Sequence, residues 1–140
     1  IKLNPIREVV AGRRVVVVDD SLVRGTTSRQ LVRSLRDAGA REVHLRITSP
    51  PYRFCCYYGI DTADRGELVA AGRDTDEICR MVGADSLHFL SVDAMLEATG
   101  LDPNSFCLGC FSGLYPVPPD DDRAERTPAA AAATPGGAQR

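Results

Sequence analysis

Four consecutive valines, Val15 to Val18, run straight into two acids, Asp19 and Asp20. β-branched residues without a polar break favour an extended strand, and a run apolar on both faces suits a central strand covered on both sides. Two carboxylates at its end are costly to bury unless they meet solvent, metal or ligand. The chain continues Ser21-Leu22-Val23-Arg24-Gly25-Thr26-Thr27 into a helix-forming segment. The first backbone N–H groups of a helix lack intrahelical partners, so Gly25, Thr26 and Thr27 offer an anion site. Strand, acid pair and phosphate-ready helix start together point to a ligand that is phosphorylated, hydroxylated and metal-bound.

The surrounding pattern makes a βαβ unit. A strand is expected over 14–19, a loop over 20–25 and a helix over 26–38. Leu31, Leu35 and Ala38 share the helix's apolar face beside Val32, with Arg29, Arg33 and Arg36 on the wetter side. Gly39 ends the helix and Glu42 to Ile47 forms the next strand, which should run parallel to the first through a right-handed crossover. Downstream, Ser49-Pro50-Pro51 breaks the strand. Short helices are expected over 66–71 and over 75–82, the second with Asp74 as N-cap and Glu77 three residues on. A short strand over 87–90 and a Ser91-capped helix over 92–99 follow. Residues 105–116 read as irregular, and the Pro-, Asp-, Ala- and Gly-rich tail 117–140 as disordered.

Composition narrows the classes. The net charge is −2, which argues against nucleic-acid or membrane partners, and no run is long and apolar enough to span a bilayer. A chain of 140 residues is one domain at most. It begins with Ile, close to its key strand, and reads as the C-terminal piece of something longer. Five cysteines in a chain of otherwise cytoplasmic character suggest metal or redox chemistry more than disulfides.

On an extended segment Asp19 and Asp20 point to opposite sides, so their roles should differ. One would face ribose hydroxyls or a hydrated magnesium ion, and the other would hold the loop. An Asp-Asp pair alone reads first as an acidic strand end with a good helix N-cap, but the thirteen-residue pattern is far more specific. Val15 to Thr27 resembles the PRPP signature of type I phosphoribosyltransferases, and Val18 to Arg29 is similar to that of amidophosphoribosyltransferases. The likeness continues through Ser49-Pro50-Pro51, Cys56 to Thr62, Gly83 to Leu87, Leu90 to Val92, Cys107-x-x-Cys110 and Phe111 to Pro116.

That resemblance implies a partial type I phosphoribosyltransferase α/β fold over 1–116: a mostly parallel sheet flanked by helices, then the irregular cysteine segment. It implies a glycosyltransferase acting in purine biosynthesis, in which glutamine-derived ammonia displaces pyrophosphate from PRPP. Asp19 and Asp20 would take the magnesium and ribose role. Ser21 and Arg24, Gly25, Thr26, Thr27 and Ser28 would bind PRPP, the last five at its 5′-phosphate. The glutaminase domain, first strands, pyrophosphate loop and flap of such enzymes would lie outside this chain. No residue here is therefore assigned to catalysis, and the chain alone is expected to be inactive. A homo-oligomer is implied.

Many members of that group, those of Bacillus type, carry a 4Fe–4S cluster, which would assign Cys56, Cys107 and Cys110 as ligands, with a fourth upstream of this chain. By itself Cys-x-x-Cys fits zinc, redox and iron–sulfur sites alike, or free thiols. Cys55 stands where proline is expected, and Cys79 reads as a small buried apolar residue. His44, His88, Tyr57 and Tyr58 read as structural, an exposed Arg24 reads as solvated as well as phosphate-holding, and Lys2 and Arg7 precede the signature, placed to approach pyrophosphate or a regulatory nucleotide without the sequence deciding it. The alternative from another class is a non-catalytic PRPP- or nucleotide-sensing regulator, which would need a winged helix or a basic surface.

Overall fold

The computed structural model describes residues 4–60 and 64–117. Lys2, Asp61, Thr62 and tail residues 118–140, with the disorder expected there, lie outside the described residues. The element order is α1 (Arg7–Val10), β1 (Arg14–Asp19), α2 (Thr26–Asp37), β2 (Glu42–Ile47), α3 (Thr75–Val82), β3 (Ser86–Phe89), α4 (Val92–Thr99) and α5 (Gly109–Ser112). Single 3₁₀ turns occupy Arg65–Glu67 and Pro103–Ser105.

The strands form one parallel sheet in the order β1-β2-β3. Val15 pairs with Val43 and Asp19 with Ile47, so the acid pair ends its strand level with the end of β2. Helices α2 and α3 cover one face. There Val43, Leu45, Ile47 and Leu87 meet Val32, Leu35, Ile78 and Val82 in a single core. The α3 boundaries follow from local chemistry: Asp74 and Glu77 form a reciprocal capping box, and Gly83 ends the helix at φ 79°. Ser91 likewise caps α4 by accepting from the Ala94 N–H at 3.1 Å.

Several expectations are corrected. Among the described residues only one face of the valine strand is covered, and Val16 and Val18 are 60% and 67% exposed. They stand with His44, Arg46, Ser86 and His88 on the face opposite the helices. The 66–71 helix is replaced by the 3₁₀ turn, where Asp64 accepts from the Gly66 N–H at 2.7 Å. The chain then turns over 69–72 and buries Leu68, Val69 and Ala70 almost completely. The Val69 N–H donates to the Val23 carbonyl at 2.8 Å, a bond across chain segments that takes the place of a helical one. On α2 Val32 and Leu35 are buried and Leu31 and Ala38 pack partly buried against the core, as expected, and Ser28 is buried as well. The segment 105–116, expected to be irregular, contains the single helical turn α5.

Candidate functional site

The loop from β1 to α2 hangs from two anchors. Leu22 is 1% exposed and pins its centre into the core. The Asp19 carbonyl accepts from the Thr48 N–H at 2.9 Å, fixing the strand end against the residue after β2. Gly25 then takes φ 76°, a left-handed conformation that costs glycine little, and α2 begins at Thr26. No side chain caps that helix start, so its N–H groups are left for a ligand. A Cβ at Gly25 would stand 3.4 Å from the Val69 side chain, which packs beneath the turn.

Asp19, Asp20, Ser21, Leu22, Val23, Arg24, Gly25, Thr26, Thr27 and Ser28 line one open cleft of about 320 Å³. The ten-residue stretch thus folds around its own cavity, with carboxylates at one end and helix N–H groups at the other. The Asp20 N–H donates to Asp19 Oδ1 at 3.1 Å, and the Ser21 hydroxyl donates to Asp20 Oδ1 at 2.8 Å. Among the described residues, the Oδ2 atoms of both acids accept no hydrogen bond. That suits oxygen ligation of a hard cation, because magnesium commonly takes one or two carboxylates and completes its shell with phosphate oxygens and water. Among the described residues no group of three or more His, Cys, Asp or Glu side chains stands ready to hold a metal ion. Arg24 lines the cleft and also pairs with Glu67, Nε to Oε2 at 2.8 Å, with both side chains about half exposed.

The cysteines are divided by the fold. Cys56 Sγ accepts from the N–H groups of Tyr58 and Ile60, each at 3.4 Å. Burial raises the Cys56 thiol, but the N–H donors of Ile60, Tyr58 and Gly59 and a hydrogen bond with Cys110 outweigh it and leave its pKa below the ordinary value. Cys110 is pushed up to about 12, first by burial and then by the charge of Cys56, its hydrogen bond with Cys56 and the charge of Cys107. Cys107 is exposed. The structure therefore brings Cys56 and Cys110 together, whereas among the described residues Cys107 does not complete a group of three ligands with them. Cys55 is buried, and its carbonyl accepts from the Tyr115 hydroxyl at 2.6 Å. Cys79 is partly buried against the core, as read from the sequence, and its thiol donates to the Ala84 carbonyl at 3.2 Å.

The two constellations are neighbours. The Arg53 and Phe54 N–H groups donate to the Cys110 carbonyl at 3.0 and 3.1 Å. Tyr52 lies between them, its ring 4.9 Å from that of Phe111. Its hydroxyl is pushed above the ordinary tyrosine value by burial first, then by the charges of Cys110, Asp20 and Cys56. Sequence reasoning missed Leu22, Thr48, Glu67 and Tyr52 as supports. An apolar Leu22 inside an otherwise polar loop was the available signal for the first.

His44 is held by Ser86 at 2.9 Å and Glu42 at 3.1 Å on the sheet face remote from the helices, a structural role. Tyr57 and Tyr58 pack on Tyr115 at 4.9 and 6.2 Å between ring centroids. Among the described residues no helix is long and apolar enough to cross a membrane.

A parallel α/β sheet with an acid pair and an uncapped helix start at one strand's carboxyl end is a phosphoribosyltransferase-type fold. The solved glutamine phosphoribosylpyrophosphate amidotransferase from B. subtilis, complexed with ADP and GMP, superposes with a TM-score of 0.75 at 50% identity, covering 81% of this chain and 26% of that one. The chain is 54% identical over 116 residues to the amidophosphoribosyltransferase of Synechococcus elongatus, covering 83% of this chain and 24% of that protein. It is 53% identical over 126 residues to the chloroplastic amidophosphoribosyltransferase 2 of Arabidopsis thaliana, and 49% identical over 125 residues to the enzyme of Methanothermobacter thermautotrophicus. It spans about a quarter of the length of these curated relatives, 24%, 22% and 26% respectively. No family model matches the chain. The names of these relatives give no support to a non-catalytic regulator.

Proposed function

We propose that this chain is the PRPP-binding part of an iron–sulfur amidophosphoribosyltransferase, its C-terminal portion, acting in the first step of purine synthesis. The observation that carries the reading is the single cleft in which Asp19 and Asp20 face the uncapped start of α2. The N–H groups at Gly25 to Ser28 and the hydroxyls of Thr26 and Thr27 would receive the 5′-phosphate, aided by the helix dipole. The two carboxylates would hold the ribose hydroxyls and a magnesium ion, whose charge would steady the departing pyrophosphate. Arg24, tethered to Glu67, would flank the phosphate. The chain's contribution is position and charge: it fixes C1 of the sugar while oxocarbenium character develops and ammonia attacks.

Ammonia would arrive from a glutaminase domain supplied outside this segment, in a cytoplasmic homo-oligomer. Cys56, Cys107 and Cys110 would hold a 4Fe–4S cluster. Thiolates are its natural ligands, and the N–H bonds to Cys56 are of the kind that stabilise a thiolate. The cluster would join the chain's end to its middle, a structural service.

The test is Asp20→Asn in the complete enzyme. Magnesium-dependent PRPP use should fall about tenfold or more, the scale of one lost charged contact, while glutamine hydrolysis stays measurable. Unchanged PRPP kinetics would overturn the assignment.

A further inference from the structure

The arginines of α2 were read from the sequence as a solvated face. In the structure they are gathered. Arg29, Arg33 and Arg36 succeed one another at i, i+4 and i+7, a stripe about 10 Å long at the helical rise. Arg80 comes in from the last turn of α3. Together with Val32, Met81, Val82 and Gly83 they line a groove of about 330 Å³ between the two helices. The lining contains four guanidinium groups and no carboxylate, in a chain whose net charge is −2. Two of the four are committed in part: Arg36 donates to Asp85 at 2.6 Å, and Arg33 stands 3.9 Å from Asp37. Arg29 and Arg80 have no ion pair among the described residues.

Like charges crowded in one groove repel, and they favour an anion that neutralises them. Arginine suits phosphate in particular, because its planar fork gives paired N–H donors to two oxygens. The floor is apolar, with Val32 and Val82 at 2% and 3% exposure, and Met81 is 46% exposed at the rim. That combination offers charge to one end of a ligand and a methionine surface to its carbon part. We propose that this groove is a second anion site, which binds a phosphate-bearing small molecule through Arg29, Arg33 and Arg80.

The groove also leads to the β1–α2 loop. A smaller cavity of about 120 Å³, lined by Arg24, Gly25, Thr26, Arg29, Val69, Met81 and Val82, shares Arg29, Met81 and Val82 with the groove. It shares Arg24, Gly25 and Thr26 with the cleft. Arg29 follows Thr26 by less than one helical turn, and its N–H donates to the Gly25 carbonyl at 2.9 Å. An anion on Arg29 is thereby linked mechanically to the turn that opens the helix start. The site uses side-chain guanidinium groups, whereas the loop uses backbone N–H groups and the Thr26 and Thr27 hydroxyls, so the two can be disabled separately.

The experiment titrates pyrophosphate, without magnesium, into the complete enzyme labelled with ¹⁵N, following the arginine Nε–H and backbone amide signals. Saturable shifts are expected at Arg29, Arg33, Arg80 and the Met81–Gly83 amides, with affinity reduced about tenfold in Arg80→Gln. Thr26→Val should leave those groove shifts in place while reducing shifts at the Gly25–Ser28 amides. A titration with sodium chloride at matched ionic strength separates general screening from binding. Shifts confined to the loop, groove shifts reproduced by chloride, or groove affinity unchanged in both Arg80→Gln and Arg29→Gln would each overturn the proposal. Retained amide dispersion in the variants shows that any loss is not unfolding.

Discussion

Asp85 carries the connection between the sheet and the helix that presents the phosphate loop. One of its oxygens, Oδ2, accepts from the Val43 N–H at 2.6 Å and from Arg36 Nη2 at 2.6 Å. Val43 is fully buried, so Asp85→Ala strands a backbone donor away from water. That loss costs about 1–3 kcal/mol. The ion pair with Arg36 is about one-third exposed on both sides, which limits its share to about 0–1 kcal/mol. Asp85→Ala should therefore lower unfolding stability by about 2–3 kcal/mol, while Arg36→Ala, which loses the ion pair and its exposed bond to the Arg41 carbonyl at 2.9 Å, should cost about 1–2 kcal/mol. Asp85→Asn keeps an acceptor for the Val43 N–H and should fall between them. Urea unfolding followed by circular dichroism, with a common slope for all variants, reads these differences.

The pH dependence has a definite sign. The Val43 N–H, followed by the charge and hydrogen bond of Arg36, holds the folded Asp85 carboxyl below its ordinary value of 3.8. The contribution of the charged group is thus fully present above that value and disappears as pH falls through the lower folded pKa. The stability gap between the protein and Asp85→Asn should be constant at neutral pH and shrink in acid below about pH 4. Equal losses from Asp85→Ala and Arg36→Ala would refute the reasoning, because they would put the energy in the ion pair and none in the buried amide. A gap that widens in acid would refute the sign.

Gly109→Ala should disrupt the cysteine segment, because a Cβ there would stand 2.5 Å from Tyr115 Cε1. Displacing that ring also breaks its hydrogen bond to the Cys55 carbonyl, so a loss of about 2–4 kcal/mol is expected by urea unfolding, the overpacking term plus one hydrogen bond. The full-length protein prepared without air should contain iron and sulfide, and Cys107→Ser should lower both its iron content and its stability. Absent iron with unchanged stability removes the cluster from the account.

The parallel βαβ unit was readable because its signals are local and redundant: β-branched residues in a row, a helical apolar period, Gly39 closing the helix and Ser49-Pro50-Pro51 breaking the second strand. The α3 boundaries were readable for the same reason, since Asp74 and Glu77 announce a reciprocal cap within four residues of each other. Leu68 to Ala70 show where local reading stops. Their helix-compatible sequence is overruled by burial under Val23, a contact between segments far apart in the chain. At the site, the acid pair and helix start lay in one contiguous stretch and could be read together. Thr48, Glu67 and Tyr52 approach from other elements, and no spacing in the sequence announces them.

The central claim is that Asp19, Asp20 and the start of α2 hold PRPP with magnesium. Equilibrium binding of PRPP to the complete enzyme, with and without magnesium, tests it most directly against Asp19→Asn, Asp20→Asn and the double variant. Magnesium should tighten binding in the unaltered enzyme, and the double variant should lose that gain and bind about tenfold or more weakly. A double variant that binds PRPP with unaltered affinity and the same response to magnesium would contradict the account.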